Sequence, residues 1–158
     1  MVVALPELVS IADKLKQEGK RIVFTNGCFD IIHLGHVTYL KKAREYGDIL
    51  IVGLNSDESV KGIKGDKRPV VPQGERAEVL SSIRYVDFVV IFTEPDPYKT
   101  IEAIKPDVLV KGGDWAIENI IGRDIVESRG GIVCNIPYIE GSSSTNIIEE
   151  ILKRFNSN

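Results

Sequence analysis

The chain has only two histidines and two cysteines among its 158 residues. A structural zinc site asks for four closely spaced nitrogen or sulfur ligands, and Cys28 and Cys134 lie far apart in sequence, so zinc is the weaker reading. Two cysteines without framework spacing also exclude a disulfide scaffold; they suit a reducing compartment, each as a free buried thiol. There is no basic excess either. Twenty Lys and Arg face 23 Asp and Glu, a formal charge of −3, which argues against a general binder of nucleic acid or of an anionic membrane. No apolar run approaches membrane-spanning length. Residues Met1 to Ser10 lack a basic segment and are interrupted by Pro6 and Glu7, unlike a secretory signal. Internal repeats, low-complexity tracts and linkers are missing as well. These absences predict a cytoplasmic protein with no nucleic-acid and no membrane partner.

What is present is ordinary globular material. The chain is 43% hydrophobic and 27% charged, and its length suits one domain, residues 1–158, with a sizeable core. Apolar periodicity switches repeatedly between helix and strand. Leu5, Leu8, Ile11, Ala12 and Leu15 share one helical face, and a strand follows at Arg21 to Thr25. Gly35 to Tyr46 reads as a helix ended by Gly47, Asp48 to Leu54 as a strand, and the polar stretch Asn55 to Pro72 as a short helix plus a mobile loop. Further helices are predicted at Glu75–Ile83, Tyr98–Ile104, Arg123–Ser128 and Asn146–Phe155, the last with Asn146 and Glu149 spaced as a capping box. Strands are predicted at Phe88–Phe92, Val108–Val110 and Ile132–Ile136. The result is an α/β chain: a Rossmann-like, doubly wound parallel sheet of about five strands with helices on both faces. Ligands of such sheets sit at the carboxyl ends of the strands.

Both histidines fall in one tetrapeptide, His33-Leu34-Gly35-His36, between a strand and a helix. Imidazoles titrate near neutrality and offer donors to phosphate oxygens. A helix start adds unpaired N–H groups and the positive end of the helix dipole. On its own the tetrapeptide is also compatible with one edge of a metal site or with two incidental surface residues. Its neighbours strengthen the anion reading.

Four loops follow strands and should meet at one sheet edge: 26–36, 55–68, 111–115 and 137–145. The first has Gly27 for close backbone approach. The second carries Lys61, Lys64, Lys67 and Arg68, of which Lys64 and Arg68 flank a tight Gly65-Asp66 turn and suit phosphate, Arg68 through its fork. Lys61 and Lys67 are adequately explained as solubilising charge. The third joins Lys111 to Gly112, Gly113 and Asp114. The fourth, Gly141-Ser142-Ser143-Ser144-Thr145, supplies hydroxyls and N–H groups at another helix start, although plain helix capping would use the same residues. Cys28 has no evident base nearby and is read as a small buried residue.

Asn26-Gly27-Cys28-Phe29-Asp30 leading into His33-Leu34-Gly35-His36, together with the Ser143-Ser144-Thr145 loop, resembles the HxGH nucleotidyltransferase superfamily. Asn55-Ser56-Asp57, residues 64–70, Glu75-Arg76 and Leu109 to Trp115 are similar to its heptose 1-phosphate adenylyltransferase branch, over about residue 21 to the end. The resemblance implies transfer of AMP from ATP to D-glycero-β-D-manno-heptose 1-phosphate, giving ADP-heptose and pyrophosphate for lipopolysaccharide core assembly. It implies that His33, His36 and Lys64 are catalytic, and that the backbone of Gly27, Cys28, Phe29 and Gly35 lies along the nucleotide. Ser143, Ser144 and Thr145 would hold its outer phosphates, and Lys111, Gly113 and Asp114 would line its nucleoside end. Asn26, Asp30, Asn55, Asp57, Lys64 and Arg68 are implied for the sugar phosphate. Mg²⁺ would arrive on the triphosphate rather than in a protein cage.

Cys28 and Ile31 stand where the broad superfamily often has Thr or Ser and Pro, a departure that the heptose branch shares. Arg84-Tyr85-Val86-Asp87 is similar to glycerol-3-phosphate cytidylyltransferases, whose later arginine is here Tyr138. A cytidylyltransferase acting on a small phosphate is therefore the alternative, and a non-catalytic nucleotide-binding module is a third. Heptose adenylyltransferases often follow a fused sugar kinase, so a separate kinase is expected upstream. A homodimer is expected on general grounds.

Overall fold

The computed structural model describes residues 1–113, 115–137 and 141–156. Five strands, β1 Ile22–Gly27, β2 Ile49–Asn55, β3 Phe88–Phe92, β4 Val108–Gly112 and β5 Ile132–Ile136, form one parallel sheet in the order β3-β2-β1-β4-β5. Seven helices are seen among the described residues: α1 Leu5–Gln17, α2 Leu34–Arg44, α3 Asp57–Lys64, α4 Gln73–Ser81, α5 Tyr98–Ile104, α6 Arg123–Glu127 and α7 Ser144–Phe155. Strand alternation sorts the core into two layers. Val23, Leu50, Val52, Leu54, Val108 and Val110 point to one face, with Leu40 and Ala43 of α2 and Ala77 and Leu80 of α4. Ile22, Phe24, Ile51, Val90 and Leu109 point to the other, with Leu8 and Ala12 of α1, Ile101 and Ile104 of α5 and Val126 of α6. The sheet is thus doubly wound, as the alternation of patterns predicts.

The strand order reverses beside β1, and there the ladder changes character. β1 runs alongside β2 through six paired positions, from Ile22–Ile49 to Gly27–Leu54. Against β4 it pairs only at Val23–Val108 and Phe24–Leu109. Beyond these residues the carboxyl halves of β1 and β4 part. Side chains bridge the opening: the Tyr39 hydroxyl lies 2.5 Å from Thr25 Oγ1 and donates to the Val110 carbonyl at 3.3 Å, while Lys111 Nζ donates to Asn26 Oδ1 at 3.3 Å.

Two local expectations are corrected. The last helix begins at Ser144 rather than Asn146, and the cap is Ser143, whose extended backbone lets its Oγ accept from Asn146 N–H at 3.0 Å. Asn146 is therefore inside the helix and makes no capping box. Gly47 does not end α2, which stops at Arg44 with Glu45 as its cap. Gly47 is glycine because a Cβ there would lie 2.7 Å from the Arg21 carbonyl and from Val23 Cγ2.

Leu40 is fully buried, whereas Leu152 on α7 is 52% exposed. Leu40→Ala should lower unfolding free energy by about 2–5 kcal/mol, and Leu152→Ala by no more than about 0.5 kcal/mol, measured by urea denaturation.

Candidate active site

The crevice lies where the carboxyl halves of β1 and β4 part, and residues 28–33 lead from the end of β1 into α2. Phe29 and Ile31 hold left-handed backbone, φ 46° and 53°, although neither is glycine. Such conformations persist only where the surroundings impose them, and they concentrate at functional sites. The Phe29 ring packs over Gly27, where a Cβ would meet it at 3.0 Å, and its centroid lies 5.3 Å from that of His36.

His33 caps α2: Gly35 N–H donates to its Nδ1 at 3.1 Å. That bond requires an unprotonated Nδ1, so neutral His33 carries its proton on Nε2, as a donor. The two imidazole centroids are 3.9 Å apart. Burial pushes the His36 pKa down to about 4, with the neighbouring His33 adding to the effect, and burial lowers His33 as well. His36 Nδ1 is buried without a partner among the described residues. The pair is therefore neutral at pH 7 in the free protein and has unused hydrogen-bonding capacity. Gly35 is the point where two helix starts touch, since a Cβ there would lie 2.9 Å from His33 Cε1 and 3.0 Å from Ser142 Cβ. The N-termini of α2 and α7 thus meet at the histidines, and their open N–H groups favour an anion.

The hydroxyls of the serine loop have internal work. Ser143 caps α7, and Ser144 Oγ donates to the Asp30 carbonyl and lies 3.5 Å from that of Ile31. What α7 offers at its start is therefore chiefly backbone N–H, with Thr145 exposed beside it.

Asp30 has its side chain fully buried and organises the basic loop. It accepts from Arg68 Nε at 2.6 Å, Val70 N–H at 2.9 Å and Val71 N–H at 3.0 Å. Burial alone would raise its pKa, but these three donors outweigh burial and hold the carboxyl below its usual range. The stretch that reads in sequence as a loop able to close over an anion is thus tied to the β1–α2 loop through residues 68–71. Arg68 spends its Nε on Asp30, while Lys64 ends α3 on the exposed side of the site.

Four cations converge here. The positive charges of Lys64, Arg76, Arg68 and Lys111 all act on the Cys28 thiol, though burial wins and pushes that thiol up. Lys111 is pulled down by burial, and its Nζ stands 5.9 Å from the Trp115 ring centroid. Gly113, with φ 100°, turns the chain back so that its N–H meets the Ile136 carbonyl at 2.9 Å. Asp114 lies outside the described residues, as does Tyr138. Asn55 and Asp57 have internal partners: Asn55 Nδ2 donates to Ser59 Oγ at 2.9 Å, and Asp57 Oδ1 accepts from Arg76 Nη2 at 2.7 Å.

Arg76, which enters the sequence reading only as part of the Glu75-Arg76 motif and without a role, is central to the site. Its signal was available: it stands four residues before Leu80 on the buried side of α4, where an arginine is out of place unless it is partnered. Among the described residues no group of three or more His, Cys, Asp or Glu could hold a metal ion.

A family model described as cytidylyltransferase-like matches residues 24–150 and so spans every loop of the crevice. The bifunctional protein HldE of Geobacter metallireducens is 52% identical over 151 residues, 96% of this chain and 31% of that protein. HldE of Nitratiruptor sp. is 54% identical over 145 residues, 92% of this chain and 30% of that protein. The chain therefore spans about a third of the length of these curated relatives. Among solved structures, the lipopolysaccharide core biosynthesis protein from Thermoplasma volcanium is 29% identical with a TM-score of 0.63, over 78% of this chain and all of that one. The pantoate-beta-alanine ligase from Francisella tularensis, solved with beta-gamma ATP and beta-alanine, shares the fold at 18% identity and a TM-score of 0.63, over 100% of this chain and 81% of that one.

The buried histidine has a measurable consequence. Unfolded His36 takes up a proton near pH 6.5, whereas the folded residue waits until about pH 4. Between these values the unfolded state binds more protons, so stability falls as the pH falls. We expect a loss of up to about 3 kcal/mol across that window, largely abolished in His36→Gln, measured by urea denaturation at several pH values.

Proposed function

The chain belongs to the cytidylyltransferase-like family, and on that premise we propose that it transfers AMP from ATP to D-glycero-β-D-manno-heptose 1-phosphate. The products are ADP-heptose, which serves lipopolysaccharide core assembly, and pyrophosphate. The observation that carries this reading is the meeting of two helix starts at a close, tilted, neutral histidine pair, on the loop whose Cys28 feels the charges of Lys64, Arg68 and Lys111. The adenylyltransferase motifs, the HldE relatives and the lipopolysaccharide core protein support the choice of substrates.

The chemistry needs no covalent intermediate. A phosphate oxygen of the sugar 1-phosphate, already anionic, attacks the α-phosphorus; the bond to the β-phosphate bridging oxygen breaks, and pyrophosphate leaves with the electron pair. Catalysis then consists of holding two anions in line and stabilising the charge that spreads over the α-phosphate and leaving group. His33 and His36 donate to those oxygens, and the N-termini of α2 and α7 hold the outer phosphates. Lys64 and Arg68 offset the charge of the acceptor, and Lys111 and Gly113 line the nucleoside end. The cationic set around Cys28 does not fit a magnesium cage, so Mg²⁺ would arrive on the triphosphate and offset part of its charge.

We place the reaction in the cytoplasm, after a separate sugar kinase, in a homodimer. Among the described residues no helix is long and apolar enough to cross a membrane. A second copy would cover Ile151, Leu152 and Phe155, which stand exposed on α7. The description of the matched family and the Arg84-Tyr85-Val86-Asp87 segment favour a second reading, cytidylyl transfer to glycerol 3-phosphate or a similar acceptor.

A pyrophosphate-release matrix of ATP and CTP against heptose 1-phosphate, glycerol 3-phosphate and phosphocholine separates the two. Release with ATP and heptose 1-phosphate alone is expected; release with CTP and glycerol 3-phosphate would replace the first reading by the second. Binding of nucleotide without release from any pair would leave only a nucleotide-binding module. In the active pair, His36→Ala should lower kcat by roughly 10²–10³, the loss seen when one preorganised donor to a developing charge is removed. A near-wild-type rate in a folded variant would remove the histidine from the mechanism.

A further inference from the structure

Arg76 is 1% exposed, the largest of the fully buried side chains. A guanidinium taken out of water persists only where its donors are met, and here they are met by three separate segments. Nε donates to the Val71 carbonyl at 2.9 Å in the basic loop, Nη1 to the Cys28 carbonyl at 2.5 Å in the β1–α2 loop, and Nη2 to Asp57 Oδ1 at 2.7 Å at the start of α3. Only a planar fork with divergent donors reaches all three; an ammonium concentrates its donors on one atom.

The Cys28 contact matters for direction. The Cys28–Phe29 peptide is trans, and in a trans peptide the carbonyl and the N–H point to opposite sides. Holding the Cys28 carbonyl against α4 therefore aims the Phe29 N–H the other way. That N–H has no partner among the described residues. Phe29 itself is left-handed, and its ring packs beside His36. From these observations we propose that Arg76 is a positioning residue for nucleotidyl transfer: by gripping the Cys28 carbonyl it fixes the Phe29 N–H as a donor to the reacting phosphate and holds the Phe29 ring that seats His36. It acts through the backbone and touches no substrate. The proposal rests on the nucleotidyltransferase reading above.

Two readouts test it, one of them independent of activity. In a Cys134→Ser background, Cys28 is the sole thiol, and its rate of reaction with an aromatic disulfide reagent reports how firmly its loop is held. Arg76→Lys keeps a positive charge opposite Asp57 but cannot span the three acceptors. We expect faster Cys28 modification, and a kcat lowered by roughly 10²-fold, the scale of a misplacement of about 1 Å, with the KM for ATP changed far less. Guanidinium ion at sub-denaturing concentration should restore part of kcat to Arg76→Ala, while leaving Arg76→Lys, whose side chain occupies the space, unaffected. Wild-type kcat in Arg76→Lys, or an equal fall in kcat/KM carried wholly by KM, would overturn the proposal. So would an unchanged Cys28 reaction rate. If the wild-type protein released no pyrophosphate from any substrate pair, the functional reading would fail, and the thiol rate alone would still decide whether Arg76 holds the loop.

Discussion

Everything in the crevice depends on the early end of the pairing between β1 and β4. After Phe24–Leu109 the two strands have no further paired positions, because they feed helices on opposite faces: α2 packs with the layer containing Val23, and α6 with the layer containing Phe24. Crossovers of one hand leave a gap at a reversal of strand order. The backbone groups freed by the gap must still be satisfied. The Tyr39 hydroxyl serves the Val110 carbonyl, and the Lys111 side chain bridges the opening to the side-chain oxygen of Asn26. The polar bridges that close the core at this point are therefore also the floor of the site.

Above the floor, the arrangement separates neutral from charged groups. His33 and His36 lose charge to burial, His36 also to its neighbour His33, while four cations stand around the same loop. A chain with a formal charge of −3 thereby keeps a cationic pocket without spreading a basic surface. The acidic residues nearest the site do not oppose an incoming anion as free charges, since Asp30 is closed off by three donors and Asp57 by Arg76. The same bonds tie residues 68–71 and α3 to the loop that carries the histidines. Geometry and electrostatics thus come from one set of contacts.

How much of this was legible depended on the range of the interaction that decides it. Helices and strands are set by neighbours within a few positions, and β3, α5 and β5 fall where periodicity puts them, at Phe88–Phe92, Tyr98–Ile104 and Ile132–Ile136. The histidine tetrapeptide at a helix start was legible for the same reason. Ser144, Asn55 and Asp57 were harder. A hydroxyl, an amide or a carboxylate has the same appearance in sequence whether it faces a ligand or a backbone group of its own protein, and here Ser144 turns to a carbonyl 114 residues away. Arg76 shows the converse: a residue typical of surfaces is central because residues 48 and 19 positions away supply its partners.

The sequence by itself determined the doubly wound sheet, the histidine tetrapeptide at a helix start on its carboxyl edge, and residue types there that suit an anionic ligand, because each follows from local periodicity, turn chemistry and residue type. Only the tertiary structure decided which polar groups remain available to that ligand. A buried donor or acceptor must be paired, and whether it pairs with the protein or stays open to a phosphate is settled by what the fold brings within about 3 Å of it.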